Sequence, residues 1–258
     1  AAHTVFGTCT LGTSCAVPLT GAAAFTSASS YYCAATDQTS AAAVKIVNTA
    51  ANDLAILFTL SGSGCLVKNI QFFDGKDNAA DGACVLVSGS RNHMVNCFVA
   101  GMGDATASGP FSRAGSYSMK VSGAENQFTD CVLGLDTVAR TGNNSELIVS
   151  GERNRFVGCE LRSNSVAAGK FLVQIDNTAD LRTVRFDNCL FHNYSSNWAT
   201  GISNAITIPA AGNTVFVLLD AACRLSGVGM GWADNVTHVY GVGPVPNAGF
   251  GISVAPTT

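Results

Sequence analysis

The sequence predicts an all-β protein, a parallel, right-handed β-helix in which each coil of the chain stacks on the one before. Three observations lead to this prediction. A short motif recurs at intervals of 34 and 28 residues. Within each copy, apolar residues alternate with a period of two, which is the period of a strand. The chain also holds 27 glycines, many Ser, Thr and Asn residues and only 6 prolines, a composition typical of a turn-rich β protein.

Composition and charge exclude several classes of protein. Hydrophobic residues make up 47% and charged residues only 12% of the 258 residues, which excludes a disordered, highly charged chain. The net charge is -3 and no basic stripe is present, so we expect no nucleic-acid partner. No apolar run approaches the length of a membrane-spanning helix, so we expect no membrane partner.

The repeat has the pattern Val-Ser-Gly-x-x-Asn-x-(Phe/Met)-x-x-Cys. Three copies align without gaps, at 87–97, 121–131 and 149–159. An earlier copy begins at Leu60 and reaches Ile70, and a later copy keeps only Phe186 and Cys189. Val87, Val121 and Val149 then form one column of the solenoid, which we expect to face its interior. The Ser-Gly and Asn positions are predicted to form turns, because glycine reaches positive φ freely and Asn tolerates the left-handed region.

The cysteines follow the same repeat. Cys97, Cys131, Cys159 and Cys189 occupy one column, and Ile70 holds the same place one coil earlier. Because an apolar residue substitutes there, we interpret the column as a buried ladder of reduced thiols. Parallel Cβ vectors also suit a disulfide poorly. Cys9 and Cys15 lie outside the repeat and could form a disulfide in an oxidising setting.

Two polar columns accompany the core columns. Asn92, Asn126 and Asn154 are predicted to form hydrogen bonds along the axis, as in an asparagine ladder. Beside them lie residues of alternating charge, Arg91, Glu125 and Arg153. We interpret both columns as features that fix the register of the coils, not as a binding site.

Three segments follow from the extent of the repeat. Residues 1–43 contain no Lys or Arg and are predicted to form an N-terminal arm or cap. Residues 44–200 are predicted to hold the coils, with enlarged loops at 101–117, 134–145 and 162–170 that would mark the working face. Residues 201–258 break the repeat and are predicted to form a C-terminal β cap.

A search for catalytic chemistry gives no candidate. The densest acidic cluster, at 74–82, lacks the order of an EF-hand loop; we interpret it as a polar loop, with a Ca²⁺ site as the alternative. Asp130 and Asp187 lie on different coils, and the histidines at 3, 93, 192 and 238 stand in no sequence motif with a nucleophile and an acid. We therefore predict no catalytic, cofactor-binding or metal-binding residues, no cofactor and no enzymatic activity.

The stretch at 132–147, Val-Leu-Gly-Leu-Asp-Thr-Val-Ala-Arg-Thr-Gly-Asn-Asn-Ser-Glu-Leu, resembles a segment of β-helical virion proteins of tailed bacteriophages. Gly101-Met-Gly103, the segment Phe186-Asp-Asn-Cys-Leu-Phe191 and the C-terminal end, rich in Gly, Pro and Ala, are similar as well. The resemblance covers roughly residues 60–258.

This resemblance implies a head-associated structural protein, a decoration or cement subunit on the capsid surface of the virion. It implies a homotrimer, with the major capsid protein as its partner. Reduced core thiols are compatible with assembly in the host cytoplasm. Two alternatives stay open: a β-helical polysaccharide depolymerase, such as a tailspike module or a secreted lyase, and a glycan-binding module without catalysis.

Overall fold

The fold was analysed in a computed structural model. It describes residues 44–47, 56–74, 83–101, 115–140, 144–166, 171–176, 182–195, 202–208, 215–229, 231–234 and 238–242. The predicted arm at 1–43, with Cys9 and Cys15, lies outside these residues, as does 243–258.

The described chain consists of three parallel sheets of seven strands each. Sheet 1 contains β2 (Phe58–Leu60), β5 (Ala83–Val87), β8 (Tyr117–Val121), β11 (Ser145–Val149), β14 (Phe171–Ile175), β17 (Asn204–Thr207) and β20 (Gly231–Ala233). Sheet 2 contains β3 (Leu66–Lys68), β6 (His93–Val95), β9 (Gln127–Thr129), β12 (Asn154–Val157), β15 (Arg182–Asp187), β18 (Val215–Asp220) and β21 (Val239–Val242). Sheet 3 contains β1 (Val44–Val47), β4 (Ile70–Phe73), β7 (Phe98–Ala100), β10 (Val132–Leu133), β13 (Glu160–Ser163), β16 (Leu190–Asn193) and β19 (Arg224–Ser226).

Each coil passes through sheet 1, sheet 2 and sheet 3 in turn, and every strand pairs with its counterpart in the next coil. This arrangement confirms the predicted parallel β-helix. The register also confirms the repeat alignment, because Val87 pairs with Val121, Val121 with Val149, and Phe156 with Phe186.

The interior is filled by columns of apolar side chains, as predicted. Val87, Val121 and Val149 are fully buried, and the four cysteines from Cys97 to Cys189 are at most 2% exposed. In sheet 2 the ring of Phe156 stacks on Phe128, with centroids 4.7 Å apart, and on Phe186, with centroids 4.9 Å apart. Equivalent residues therefore pack face to face along the axis, which aligns the coils.

The turn between sheets 1 and 2 differs from the prediction in two respects. The repeat glycines do not have positive φ; a Cβ on Gly89, Gly123 or Gly151 would instead lie within 2 Å of the glycine carbonyl oxygen of the preceding coil. Positive φ occurs two residues later, at Arg91, Glu125 and Arg153, where the first coil has Gly64. Close backbone approach, not backbone conformation, explains the conserved spacing of these glycines in the repeat.

The asparagine column is buried. Its side chains bond to the backbone of the neighbouring coil and not to one another, as the amides of an asparagine ladder would. The Oδ1 atom of Asn126 accepts the backbone N–H of Asn92 at 2.9 Å, and Oδ1 of Asn154 accepts that of Asn126 at 2.9 Å. Each amide thus fixes the backbone of the preceding coil. The charged column forms ion pairs as expected, with Glu125 between Arg91 and Arg153.

The predicted boundary at residue 200 does not interrupt the sheets. Strands β17 to β21 extend all three sheets from Asn204 to Val242, in register with the preceding coils. In the coil that ends at Cys189 the repeat motif is already incomplete, because Val184 takes the place of the asparagine. The inward apolar alternation nevertheless continues at Val215, Val217 and Leu219. The coils therefore extend beyond the predicted cap boundary.

Candidate functional site

The longest connections of the coils lie on one edge, between sheet 3 and sheet 1. They join Phe73 to Ala83, Ala100 to Tyr117, Leu133 to Ser145, Ser163 to Phe171 and Asn193 to Asn204. The three loops that the sequence predicted to be enlarged all belong to this set. We call this edge the loop edge. By contrast, the first five turns from sheet 2 to sheet 3 each contain one residue of positive φ, at Asn69, Asn96, Asp130, Gly158 and Asn188.

A buried polar network lies beneath the loop edge. Its centre is the ion pair of Arg140 and Glu146, whose side chains are both fully buried, with Arg140 Nε 3.0 Å from Glu146 Oε1. Arg140 Nε donates to Ser163 Oγ at 2.8 Å and Arg140 Nη1 donates to Asn144 Oδ1 at 2.8 Å. Ser118 Oγ donates to Glu146 Oε2 at 2.6 Å. The network therefore ties the loop before β11 to the coils on both sides.

Burial dominates the electrostatics of this pair. Loss of solvent raises the pKa of the Glu146 carboxyl and lowers the pKa of the Arg140 guanidinium, and each charge partly opposes the shift of the other. The guanidinium also donates to Ser165 Oγ and to the Phe171 carbonyl oxygen, so its donors are directed into the fold. An arginine with no exposed surface cannot contact a ligand from solvent, and we assign the network a structural role.

The outer face of sheet 3 has an apolar half and a polar half. In the first four coils it presents Val47, Phe73, Phe98 and Val132, which we call the apolar stripe. Val47 pairs with Phe73 and Phe98 pairs with Val132. The second pair is offset from the first by two residues along the strands, because Phe98 lies opposite Gln71. Val47 is 37% exposed and the other three are partly exposed. Lys45 borders the stripe with its ammonium 5.0 Å from the centre of the Phe73 ring.

The polar half of the same face begins one coil later. We call it the polar patch; it consists of Asp136, Glu160, Arg162, His192, Tyr194 and Ser226. Arg162 pairs with Glu160 of its own strand, with Nε 2.8 Å from Oε1. His192 lies opposite Arg162 in the next coil, and Ser226 lies opposite His192 in the coil after that.

Two contacts hold the histidine of the polar patch. Ser226 Oγ lies 2.8 Å from His192 Nδ1, and the rings of His192 and Tyr194 have centroids 3.7 Å apart. Partial burial lowers the pKa of His192, against the opposing effect of Glu160 and Asp136, so the ring is neutral at pH 7. The arrangement can accept and donate hydrogen bonds at a surface and offers an aromatic face beside them.

The polar patch was not among the sites predicted from the sequence. His192 and Ser226 are 34 residues apart, and only the coil register brings them together. A signal was nevertheless present: Phe186-x-x-Cys189 fixes His192 three residues after the cysteine, and the same offset from Cys223 gives Ser226.

The acidic residues weighed as catalytic candidates lie apart from the polar patch. Asp74 is fully buried, and the rest of the acidic cluster, 75–82, lies outside the described residues. Asp187 is 6% exposed and lies between Arg155 and Arg185, with Oδ2 2.6 Å from Arg155 Nε and Oδ1 2.7 Å from Arg185 Nε. Asp130 occupies the positive-φ turn between sheets 2 and 3. The structure thus does not bring these three carboxylates together.

The thiol column extends one coil beyond the prediction, because Cys223 follows Cys189. All seven cysteines of the described residues are free, as the prediction of reduced thiols requires. The hydrogen bond with the preceding thiol of the column lowers the pKa of Cys131, Cys159 and Cys189, but the bond with the following thiol and burial outweigh it and raise the pKa of each to about 12. Cys223 differs: it is only partly buried, and a hydrogen bond with Cys189 lowers its pKa.

We expect native alkylation to distinguish Cys223 from the column below it. With iodoacetamide at pH 8, Cys223 should react at least tenfold faster than Cys97, Cys131, Cys159 or Cys189, because thiolate content and access both favour it. Peptide mass spectrometry of the native and the denatured protein measures this. Equal rates for Cys223 and Cys131 would contradict the burial of the column, and four residues that resist alkylation after denaturation would contradict reduced thiols.

Within the described ranges no group of three or more His, Cys, Asp or Glu side chains could hold a metal ion. The same part of the chain has no helix with the length and apolar character that crossing a membrane requires. Comparison of the chain with protein-family models, curated proteins and solved structures gave no match.

Proposed function

We propose that the protein is a structural subunit of a tailed-phage virion, a capsid decoration or cement protein whose β-helices associate side by side. The observation that carries this proposal is the apolar stripe. Val47, Phe73, Phe98 and Val132 form a contiguous apolar surface on the outside of a sheet. Surfaces of this kind mark interaction sites in soluble proteins.

The position of the stripe supports a symmetric assembly. It crosses four successive coils obliquely, with a step of two residues between Phe73 and Phe98. Three copies placed around a threefold axis would bury their stripes against one another, which gives a closed homotrimer. Few charged groups would then be desolvated, because Lys45 and the polar patch border the stripe and do not interrupt it.

The segment that resembles phage virion proteins also supports a structural role. Arg140, Asn144 and Glu146 of the buried network all belong to residues 132–147. The similar segment therefore contains the groups that close a coil beneath the loop edge. In the proposed assembly the major capsid protein is the partner, and the N-terminal arm or the C-terminal segment provides the attachment.

The role of the stripe is tested by adding charge to it. The double variant Phe98→Lys/Val132→Lys should convert the trimer to a monomer, because lysines at the centre of an apolar interface cannot be solvated. The matched control Val95→Lys/Val157→Lys adds the same charge at outward positions of sheet 2 and should stay trimeric. Light scattering after size-exclusion chromatography gives the mass of each.

The virion assignment is tested with phage heads that lack the protein. The wild-type trimer should sediment with such heads, and deletion of residues 1–35 should abolish sedimentation while the circular dichroism of the β-helix is kept. A wild-type monomer, or a protein that fails to bind heads and instead cleaves a capsular or pectic polysaccharide, would overturn the proposal.

A further inference from the structure

The polar patch has no part in the assembly proposed above, yet its side chains are held in place more firmly than surface residues need to be. Tyr194 is 47% exposed, and within the described ranges only Val47 is a comparably exposed large apolar residue. The Tyr194 ring is nevertheless held by close contact with the His192 ring, which is tilted by 32° to it, and the Tyr194 backbone N–H donates to the Ser163 carbonyl oxygen at 2.8 Å. Preorganised aromatic and polar groups lower the entropic cost of binding a ligand.

The polar groups of the patch are arranged along the axis, one coil after another. Arg162, His192 and Ser226 occupy equivalent positions of β13, β16 and β19. Successive coils of a parallel β-structure lie about 4.8 Å apart, close to the length of one sugar unit in an extended oligosaccharide. A chain of sugars lying along the axis would thus meet one polar side chain per unit.

The chemistry of the patch indicates which ligands it suits. Hydroxyl groups both donate and accept, and the patch offers donors on Arg162, acceptors on Glu160 and Asp136, and a neutral imidazole. Among the described residues, His192 Nε2 has no hydrogen-bond partner, so it is available to a ligand. Arg224 lies on the same face two residues before Ser226, so two carboxylates are balanced by two guanidinium groups, and no net charge attracts an anionic ligand.

We propose that the polar patch binds a neutral, extended oligosaccharide, with the C–H face of one sugar packed on Tyr194 and with hydroxyls bonded to Arg162, Glu160 and His192. This is a binding site without bond cleavage, and it does not depend on the oligomeric state proposed above. The patch adjoins the apolar stripe at Glu160 and extends from there along the axis to Ser226, so His192 and Tyr194 stay accessible in a trimer formed through the stripe.

The test uses the full chain and saturation-transfer NMR. The probes are three neutral hexasaccharides, of β-1,4-linked glucose, α-1,4-linked glucose and β-1,4-linked mannose, and one anionic probe, an oligogalacturonate of the same length. At least one neutral probe should receive saturation from the protein. Tyr194→Ala should weaken its binding at least tenfold, whereas Tyr194→Phe should keep it, because the stacking face is retained.

Two controls separate binding from folding. Tyr240→Ala removes a partly exposed tyrosine of sheet 2 and should leave binding unchanged, and the thermal midpoint of Tyr194→Ala should match that of the wild type. Absence of saturation for all neutral probes, a preference for oligogalacturonate, or binding that survives Tyr194→Ala would each overturn the proposal.

Discussion

Replacement of Gly123 by alanine should reduce the free energy of unfolding by about 4 kcal/mol or more, a loss reserved for severe structural conflicts. A Cβ at this position would lie 1.8 Å from the carbonyl oxygen of Gly89 and 2.9 Å from that of Ser88. Both obstacles are backbone atoms of the preceding coil, and neither can move without breaking the hydrogen bonds that join the coils. The turn column therefore has no room for the smallest side chain.

Thermal unfolding followed by circular dichroism measures this effect. The expected decrease in Tm is about 10 °C or more. Gly231→Ala is the matched control, because a Cβ there meets no atom within 4 Å and the residue does not have positive φ. A Gly123→Ala variant as stable as Gly231→Ala would show that the coils are further apart at this turn than the structure places them.

Replacement of Arg140 by methionine should cost about 3–5 kcal/mol, the usual loss when one partner of a buried ion pair is removed. The variant leaves Glu146 in the interior without its counter-charge. It also removes the hydrogen bonds that Arg140 donates to Asn144 and Ser165. Urea denaturation gives the change in the free energy of unfolding.

An ion pair whose arginine is partly exposed provides the comparison. Arg185→Met breaks the contact with Asp187 but leaves Arg155 beside the same carboxylate, so we expect a loss below about 1 kcal/mol. The double variant Arg140→Met/Glu146→Leu should be more stable than Arg140→Met, because the lone buried charge is gone and the next coil already holds Leu172 in that column. A double variant less stable than Arg140→Met would contradict the assignment of charge burial as the main cost.

The repeat made the coil interior predictable from the sequence. The positions of Val121, Asn126 and Cys131 relative to their neighbours follow from residue spacing alone, because stacked coils place equivalent residues at one strand spacing. Residue spacing does not show whether a turn needs glycine for a positive φ or for its lack of a side chain. The steric role of Gly123 was therefore interpreted as a conformational one.

Features outside the repeat could not be predicted in the same way. Arg140 lies in a connection without periodicity, and arginine is rarely buried, so nothing in its neighbourhood indicated an interior position. The coils after Cys189 keep their inward alternation at Val217 and Leu219 but lose the turn motif, which led to the wrong boundary at residue 200. The contact between His192 and Ser226 can be predicted only when the number of residues in the coil between them is known.

The two kinds of turn give the solenoid unequal tolerance for added sequence. The turn from sheet 2 to sheet 3 is only one to three residues long and uses a residue of positive φ such as Asn96 or Asn188 in five of the coils, so it has little room for an insertion. At the loop edge, the connections from Ala100 to Tyr117 and from Ser163 to Phe171 differ greatly in length while the strands on either side stay aligned. Foreign peptides grafted into this edge would accordingly project from one side of a rigid rod in a row spaced by the coils, which makes the protein a natural scaffold for ordered display.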